Sequence, residues 1–205
     1  MSIIKVENLS KVYGRADHEV RAVDGLSFDI NEPGVYGFLG PNGSGKTTSI
    51  RCLLGLIKPT SGSISVLGTD ATKGIYPVVD RVGALVESPK FFPNFSGRVN
   101  LEMLARIVGV TDNRIDKCID VVGLSKRQGD KFGSYSLGMK QRLAIAATLL
   151  KDPELIILDE PANGLDPEGI VEIRQLIRAL GEQGRTIFVS SHQLGEVQQT
   201  CDNVL

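Results

Sequence analysis

The sequence lacks an apolar run of membrane length. Its most apolar stretch, Leu143 to Leu150, already holds alanine and threonine and falls far short of the roughly 20 residues a spanning helix needs. The chain is therefore not expected to cross a bilayer. It also lacks an excess of charge, since 23 basic against 24 acidic side chains leave a formal −1. Gripping a nucleic-acid backbone takes many clustered Lys and Arg, and without such runs no nucleic-acid partner is expected. Cysteine is scarce: Cys52, Cys118 and Cys201 are odd in number, widely spaced and without a metal-ligand pattern. That argues against a disulfide scaffold or a zinc site and fits reduced thiols in a cytoplasmic setting. Met1 to Glu7 carries neither a basic leader nor a small-residue cleavage site, so no secretory signal is expected. What remains is a 205-residue chain with 41% hydrophobic and 23% charged residues, enough apolar surface for one large domain or two small ones and unlike a disordered chain.

Hydrophobic spacing divides the chain in three. Residues 1–40 alternate with period two, in Val6 to Leu9 and in Leu26, Phe28 and Ile30, broken by polar turns at Gly14 to Glu19 and Asn31 to Gly34; these read as strands. Val35 to Leu39 is a short apolar run of the kind buried on both faces of a parallel sheet. Helical spacing follows from Lys46 through Leu56, then strands at Ile64 with Val66 and at Val82 to Val86. From Ser88 to Leu150 strand runs give way to helical faces, Leu101, Leu104, Ala105 and Val108 on one and Ile115, Ile119 and Val122 on another. Alternation then resumes with the strand Leu155 to Leu158, a helix carrying Ile173, Leu176, Ile177 and Leu180, and the strand Thr186 to Ser190. The expected fold is α/β: a mainly parallel sheet flanked by helices, with an inserted helical subdomain. Asp202 to Leu205 ends on a rising apolar note, as though entering a strand, so the natural chain is expected to continue past residue 205.

Gly40-Pro41-Asn42-Gly43-Ser44-Gly45-Lys46-Thr47 fits the P-loop pattern, between a buried strand and a helix that includes Thr48. Glycines let successive backbone N–H groups turn inward around phosphate oxygens, and the helix start adds about half a positive charge. Lys46 is placed to reach the β- and γ-phosphates of a nucleotide, and the Thr47 hydroxyl to ligate Mg²⁺. Four apolar residues from Leu155 deliver Asp159 and Glu160 at a strand's carboxyl end, where parallel sheets keep their ligands. Asp159 suits a Mg²⁺ ligand, direct or through water, and Glu160 a base for water attacking the γ-phosphate. His192 follows a strand at the same edge; taken alone, a histidine there is more often structural or solvent-facing than catalytic. His18 sits in a polar turn without such neighbours.

With these motifs in order, the chain resembles the ATP-binding subunit of an ABC transporter over essentially its whole length, and the resemblance implies a P-loop NTPase with an N-terminal antiparallel β subdomain and a helical insertion at 87–150. Tyr13 matches the aromatic that stacks on adenine. Tyr135-Ser136-Leu137-Gly138-Met139-Lys140-Gln141-Arg142 matches the stretch that opens a helix 90 residues after Lys46 and 23 before Asp159. Asp166, in Asn163-Gly164-Leu165-Asp166, matches the loop that crosses between subunits, and His192 the histidine that contacts the γ-phosphate. Two departures stand out. The usual Leu-Ser-Gly-Gly-Gln is reduced to Ser136 and Gly138, and Glu87 stands where glutamine is usual. Glu87 can still serve Mg²⁺ as a hard oxygen ligand, but it brings extra negative charge. Both departures resemble the subgroup that exports, or confers immunity to, antibiotics such as bacitracin-like peptides and lantibiotics.

The resemblance implies head-to-tail dimers, with a second copy or a close paralogue, in which each P-loop meets the other subunit's Ser136 and Gly138 across ATP. Energy passes to separate membrane-spanning permease subunits, which would hold the chain on the inner face of the cell membrane and dock near Glu87 and the helical insertion. Phe91, Phe92, Pro93 and Phe95 fit either that docking or internal packing. Two other readings remain: a soluble ATPase uncoupled from transport, and a nucleotide-sensing subunit with little hydrolysis. The short P-loop-to-signature spacing, with no room for a coiled coil, counts against the first; Glu160 and His192 count against the second.

Overall fold

The computed structural model describes residues 2–14, 18–87 and 90–205; the interior of the expected turn at 14–19 and the first residues of the insertion, Ser88 and Pro89, lie outside them. Two sheets face each other. The antiparallel one is built from β1 (Ile4–Tyr13), β2 (Val20–Ile30), β4 (Ser61–Val66) and β5 (Thr69–Asp70), in the order β2-β1-β4-β5. Its register sets Val6 between Phe28 and Ile64, and Ile4 between Ile30 and Val66. Period two therefore puts Ile4, Val6, Ile30, Ile64 and Val66 on one buried face.

The second sheet is parallel throughout: β6 (Val82–Leu85), β7 (Leu155–Asp159), β8 (Thr186–Ser191), β3 (Gly34–Leu39) and β9 (Asn203–Val204), in the order β6-β7-β8-β3-β9. Strand β7 shows why its sequence is continuously apolar. Leu155 and Ile157 join the core shared with the antiparallel sheet, while Ile156 and Leu158 join the core beneath the helices. Phe188 of β8 is fully buried, stacked on Phe28 at 5.8 Å and tilted against Phe38 at 5.4 Å.

Helix α1 (Lys46–Leu53) follows β3 directly. It stops three residues short of the expected Leu56 because Gly55 takes φ +65° and closes a Schellman turn, with Gly55 N–H donating to Cys52 and Leu56 N–H to Arg51. The insertion between β6 and β7 holds α2 (Gly97–Val108), α3 (Asp112–Val121) and α4 (Leu137–Thr148). Leu101, Ala105, Ile115, Ile119 and Val122 are buried as their spacing predicts, with Leu104 and Val108 packed at the margin. The aromatic cluster divides: Phe91 packs edge-on against Phe132 at 5.0 Å, whereas Phe92 and Phe95 pair with each other at the surface.

Helix α5 (Pro167–Glu182) and α6 (Leu194–Thr200) complete the second layer. The sequence reading missed α6, β5 and the 3₁₀ turns at Ala71–Lys73 and Tyr76–Arg81, and it ran β6 one residue too long, to Val86. Strand β9 does pair at the end of the chain, Tyr36 with Asn203 and Gly37 with Val204, and Leu205 N–H donates to Gly37. Gly37 also admits α6, since a Cβ there would lie 2.4 Å from Val197 Cγ1. The carboxyl ends of β3, β7 and β8 open on one edge, with Leu39 in register with Ser191 and Asp159 with Ser190. No helix of the described residues is long and apolar enough to cross a membrane.

Candidate functional site

The loop leaving β3 begins tied to β8, Gly40 N–H donating to the Ser191 carbonyl at 3.2 Å. Gly45 carries φ +90°, and a Cβ on it would stand 2.1 Å from the Ala22 carbonyl oxygen, so glycine alone fits. Gly45 also caps α1 without a side chain, and the first turn holds no acid; its N–H groups and the positive end of the helix are left for a ligand. Pro41, Asn42, Gly43 and Ser44 are exposed around this opening, and Thr48 is half-buried.

Lys46 is only 6% exposed. Its ammonium donates to the carbonyls of Gly40 at 2.6 Å and Pro41 at 3.1 Å and stands 3.2 Å from Glu160 Oε1. The Thr47 hydroxyl donates to Asp159 Oδ2 at 2.6 Å. Asp159 Oδ1 accepts from the Ser190 hydroxyl at 2.5 Å, and that hydroxyl accepts from the Glu160 backbone N–H at 2.9 Å. Glu160 itself takes φ +50°, a left-handed conformation costing an L-residue roughly 1–2 kcal/mol. Its Oε2 lies 2.9 Å from His192 Nδ1, while its buried Oε1 has the charge contact with Lys46 and no hydrogen bond. Loop, strand end and histidine therefore form one connected chain, Lys46 to Glu160 to His192, beside the Thr47–Asp159 pair.

Other expected residues lie elsewhere. Ser136 caps α4, its hydroxyl accepting from Met139 N–H at 3.2 Å, and Gly138 is buried against Gly169 of α5. Asp166 caps α5, accepting from Gly169 N–H at 3.1 Å. Among the described residues none of the three contacts the P-loop through a hydrogen bond or ion pair. Tyr13 ends β1 half-exposed, with the Lys11 ammonium 5.0 Å from its ring centre. Among the described residues Glu87 makes no hydrogen bond to Thr47 or Asp159; its carboxylate meets the Arg51 guanidinium of α1 at 2.7 Å. Tyr135, which precedes Ser136, donates to the Arg127 carbonyl at 2.8 Å, and burial pushes its phenol pKa up.

The sequence reading missed Ser190, Ser191 and Arg51. Only the adjacency of two serines to His192 could have signalled the first two. Chemically, Thr47 and Asp159 offer two hard oxygens side by side, a donor set that fits Mg²⁺, which favours few protein ligands and keeps water and phosphate oxygens for the rest. No group of three or more His, Cys, Asp or Glu among the described residues could hold a metal alone.

Residues 23–163 match the family described as ABC transporter. The chain belongs to the ABC transporter family. It is 49% identical over 205 residues to the bacitracin transport ATP-binding protein BcrA of Bacillus licheniformis, covering 99% of this chain and 66% of that protein. It is 38% identical to the lantibiotic transport ATP-binding protein SrtF of Streptococcus pyogenes, covering 98% of this chain and 84% of the relative. The chain thus spans just under two thirds of the BcrA relative's length. Among solved structures, a dimeric post-hydrolysis state of the ATP-binding cassette MJ0796 bound to ADP and Pi superposes with a TM-score of 0.82 at 25% identity, covering 96% of this chain and 91% of that one. The two-sheet architecture with its helical insertion is the fold of such cassettes.

Proposed function

We propose that this chain binds ATP with Mg²⁺ and hydrolyses it, as the ATPase subunit of a transporter whose permease subunits are separate chains. The observation that supports this most is the joined cluster at the sheet edge, in which a P-loop lysine, a strand-end carboxylate and a histidine form one contact chain beside a hydroxyl–carboxylate pair. In this reading the backbone of Gly40 to Thr48 cradles the phosphates, and Lys46 exchanges its loop carbonyls for β- and γ-oxygens. Thr47 and Asp159 hold Mg²⁺, with Glu87 joining them if it leaves Arg51; the bound ion offsets negative charge on the phosphate oxygens. Glu160 takes a proton from the water that attacks the γ-phosphate, and His192 steadies Glu160 and contacts the same phosphate. Tyr13 stacks on adenine.

Ser136, Gly138 and Asp166 act on the nucleotide of a second subunit, either an identical copy or a close paralogue. The absence of any hydrogen bond or ion pair from them to their own P-loop among the described residues, and the dimeric state of the structural relative, support that arrangement. The helical subdomain at 87–150 and the surface around Glu87 face the permease, which holds the chain at the inner face of the membrane. Likeness to bacitracin and lantibiotic transport proteins supports export of a peptide antibiotic or drug.

The deciding experiment is Glu160→Gln. It is expected to retain ATP binding, lower phosphate release by about 10²- to 10⁴-fold and trap an ATP-bound dimer in size-exclusion chromatography. Undiminished phosphate release would overturn the role of Glu160.

A further inference from the structure

A histidine on a loop keeps its aim only if the loop backbone is fixed by its surroundings. His192 lies between β8 and α6, and one hydroxyl holds both of its neighbours. Ser191 is 6% exposed. Its carbonyl accepts from Gly40 N–H of the P-loop, and its hydroxyl accepts from Gln193 N–H at 3.1 Å. The same hydroxyl donates its single proton to Glu196 Oε2 at 3.2 Å. That acceptor fixes the direction of the hydroxyl, which otherwise rotates freely. One turn along α6, the Thr200 hydroxyl donates to the backbone carbonyl of Glu196 at 2.7 Å.

Glu196 is not an ordinary solvated helix acid. Its second oxygen, Oε1, is buried without a hydrogen-bond partner, an arrangement that costs free energy. With Glu160 and Arg174 it lines a cavity of about 30 Å³ between α5, α6 and the ends of β7 and β8. Arg174 on the same wall donates to the Gln199 side chain and, among the described residues, forms no ion pair with Glu196. We infer that Glu196 is a positioning residue for hydrolysis, acting on His192 through Ser191. The inference rests on the ATPase reading above and on His192 meeting Glu160.

The test compares Glu196→Gln, Glu196→Leu and Ser191→Ala, alone and combined with His192→Ala, in the purified protein. Phosphate release, KM for ATP, calorimetric nucleotide affinity and melting temperature are measured on each. Glu196→Leu and Ser191→Ala are expected to lower kcat about tenfold while nucleotide affinity stays within about twofold. Glu196→Gln keeps an acceptor oxygen and is expected to retain at least about half the rate. On the His192→Ala background, Glu196→Leu should cause no further loss, because both act through one link. A further tenfold loss there, equal losses for Gln and Leu, or losses that follow melting temperature would overturn the inference. If Glu196→Leu does not fold, Ser191→Ala carries the same comparison. Full turnover by His192→Ala would remove the role of His192 and the inference with it; collapse of His192→Ala beside an unimpaired Glu196→Leu would sink the inference alone.

Discussion

Lys46 sits among groups that compete for one charge, two loop carbonyls and the Glu160 carboxylate. A phosphate that replaces the carbonyls gains a desolvated ammonium, and in a water-poor site that interaction is far stronger than at the surface. Lys46→Ala should therefore reduce ATP affinity below detection in calorimetry while the chain stays folded; unchanged binding would contradict the cradle. Ser190 carries a comparable weight without touching any ligand in the proposed reading. It satisfies Asp159 Oδ1 and the Glu160 N–H at once, so Ser190→Ala is expected to cost about 1–3 kcal/mol in urea unfolding and to slow hydrolysis as well. The two residues differ in legibility for a physical reason. Lys46, Thr47, Asp159 and Glu160 stand in runs whose spacing only a phosphate loop or a buried strand requires, whereas a serine in a strand carries no spacing signal. The Arg51–Glu87 pair was equally hidden, because nothing in sequence brings the sixth residue of a helix to a segment 36 residues away.

At the scale of elements, the glycine loop and β7 are the parts most tightly specified. Gly45→Ala must place a Cβ against the Ala22 carbonyl and hold φ +90°, so it is expected to destabilise the chain by at least about 1–2 kcal/mol and to weaken ATP binding, readable in parallel unfolding and calorimetry. Phe188→Ala empties the contact between Phe28 and Phe38 and should cost about 3–5 kcal/mol, lowering the urea midpoint without a change in the glycine loop. Long apolar elements were readable: α2, α3, α5 and the strands β3, β7 and β8 lie where their apolar residues put them, and β6 to within one residue. Helix α6, at seven residues, is too short to display a 3.6 period. The end of α1 depends on Gly55 adopting a left-handed turn, which a glycine permits but does not require.

The whole molecule responds to pH through groups away from the site. Asp152 lies between Arg185 and Arg114 at 2.8 and 2.9 Å, and the Arg185 hydrogen bond above all holds its carboxyl below the usual range; Arg81 does the same for Glu154. A carboxyl depressed in the folded state binds protons more readily when unfolded, so its stabilisation is present above about pH 4 and disappears as pH falls through the lowered value. The urea midpoint should fall between pH 5 and 3, and fall less steeply in Asp152→Asn. Burial pushes the Cys201 thiol up to about 12, which has the opposite sign: stability should decline as pH rises from about 9 toward that value, and native Cys201 should resist alkylation at pH 8. Strand β3, finally, places a demand on biosynthesis. Its neighbours in the sheet are β8 and β9, and its register partner for Gly34 is Thr186. During translation at about 5–20 residues per second, the strand leading to the phosphate loop emerges roughly 7 to 30 seconds before either partner exists. The nascent chain must keep two unpaired strand edges from other chains for that interval, so its yield in cells should depend on chaperone supply more than the stability of the finished fold suggests.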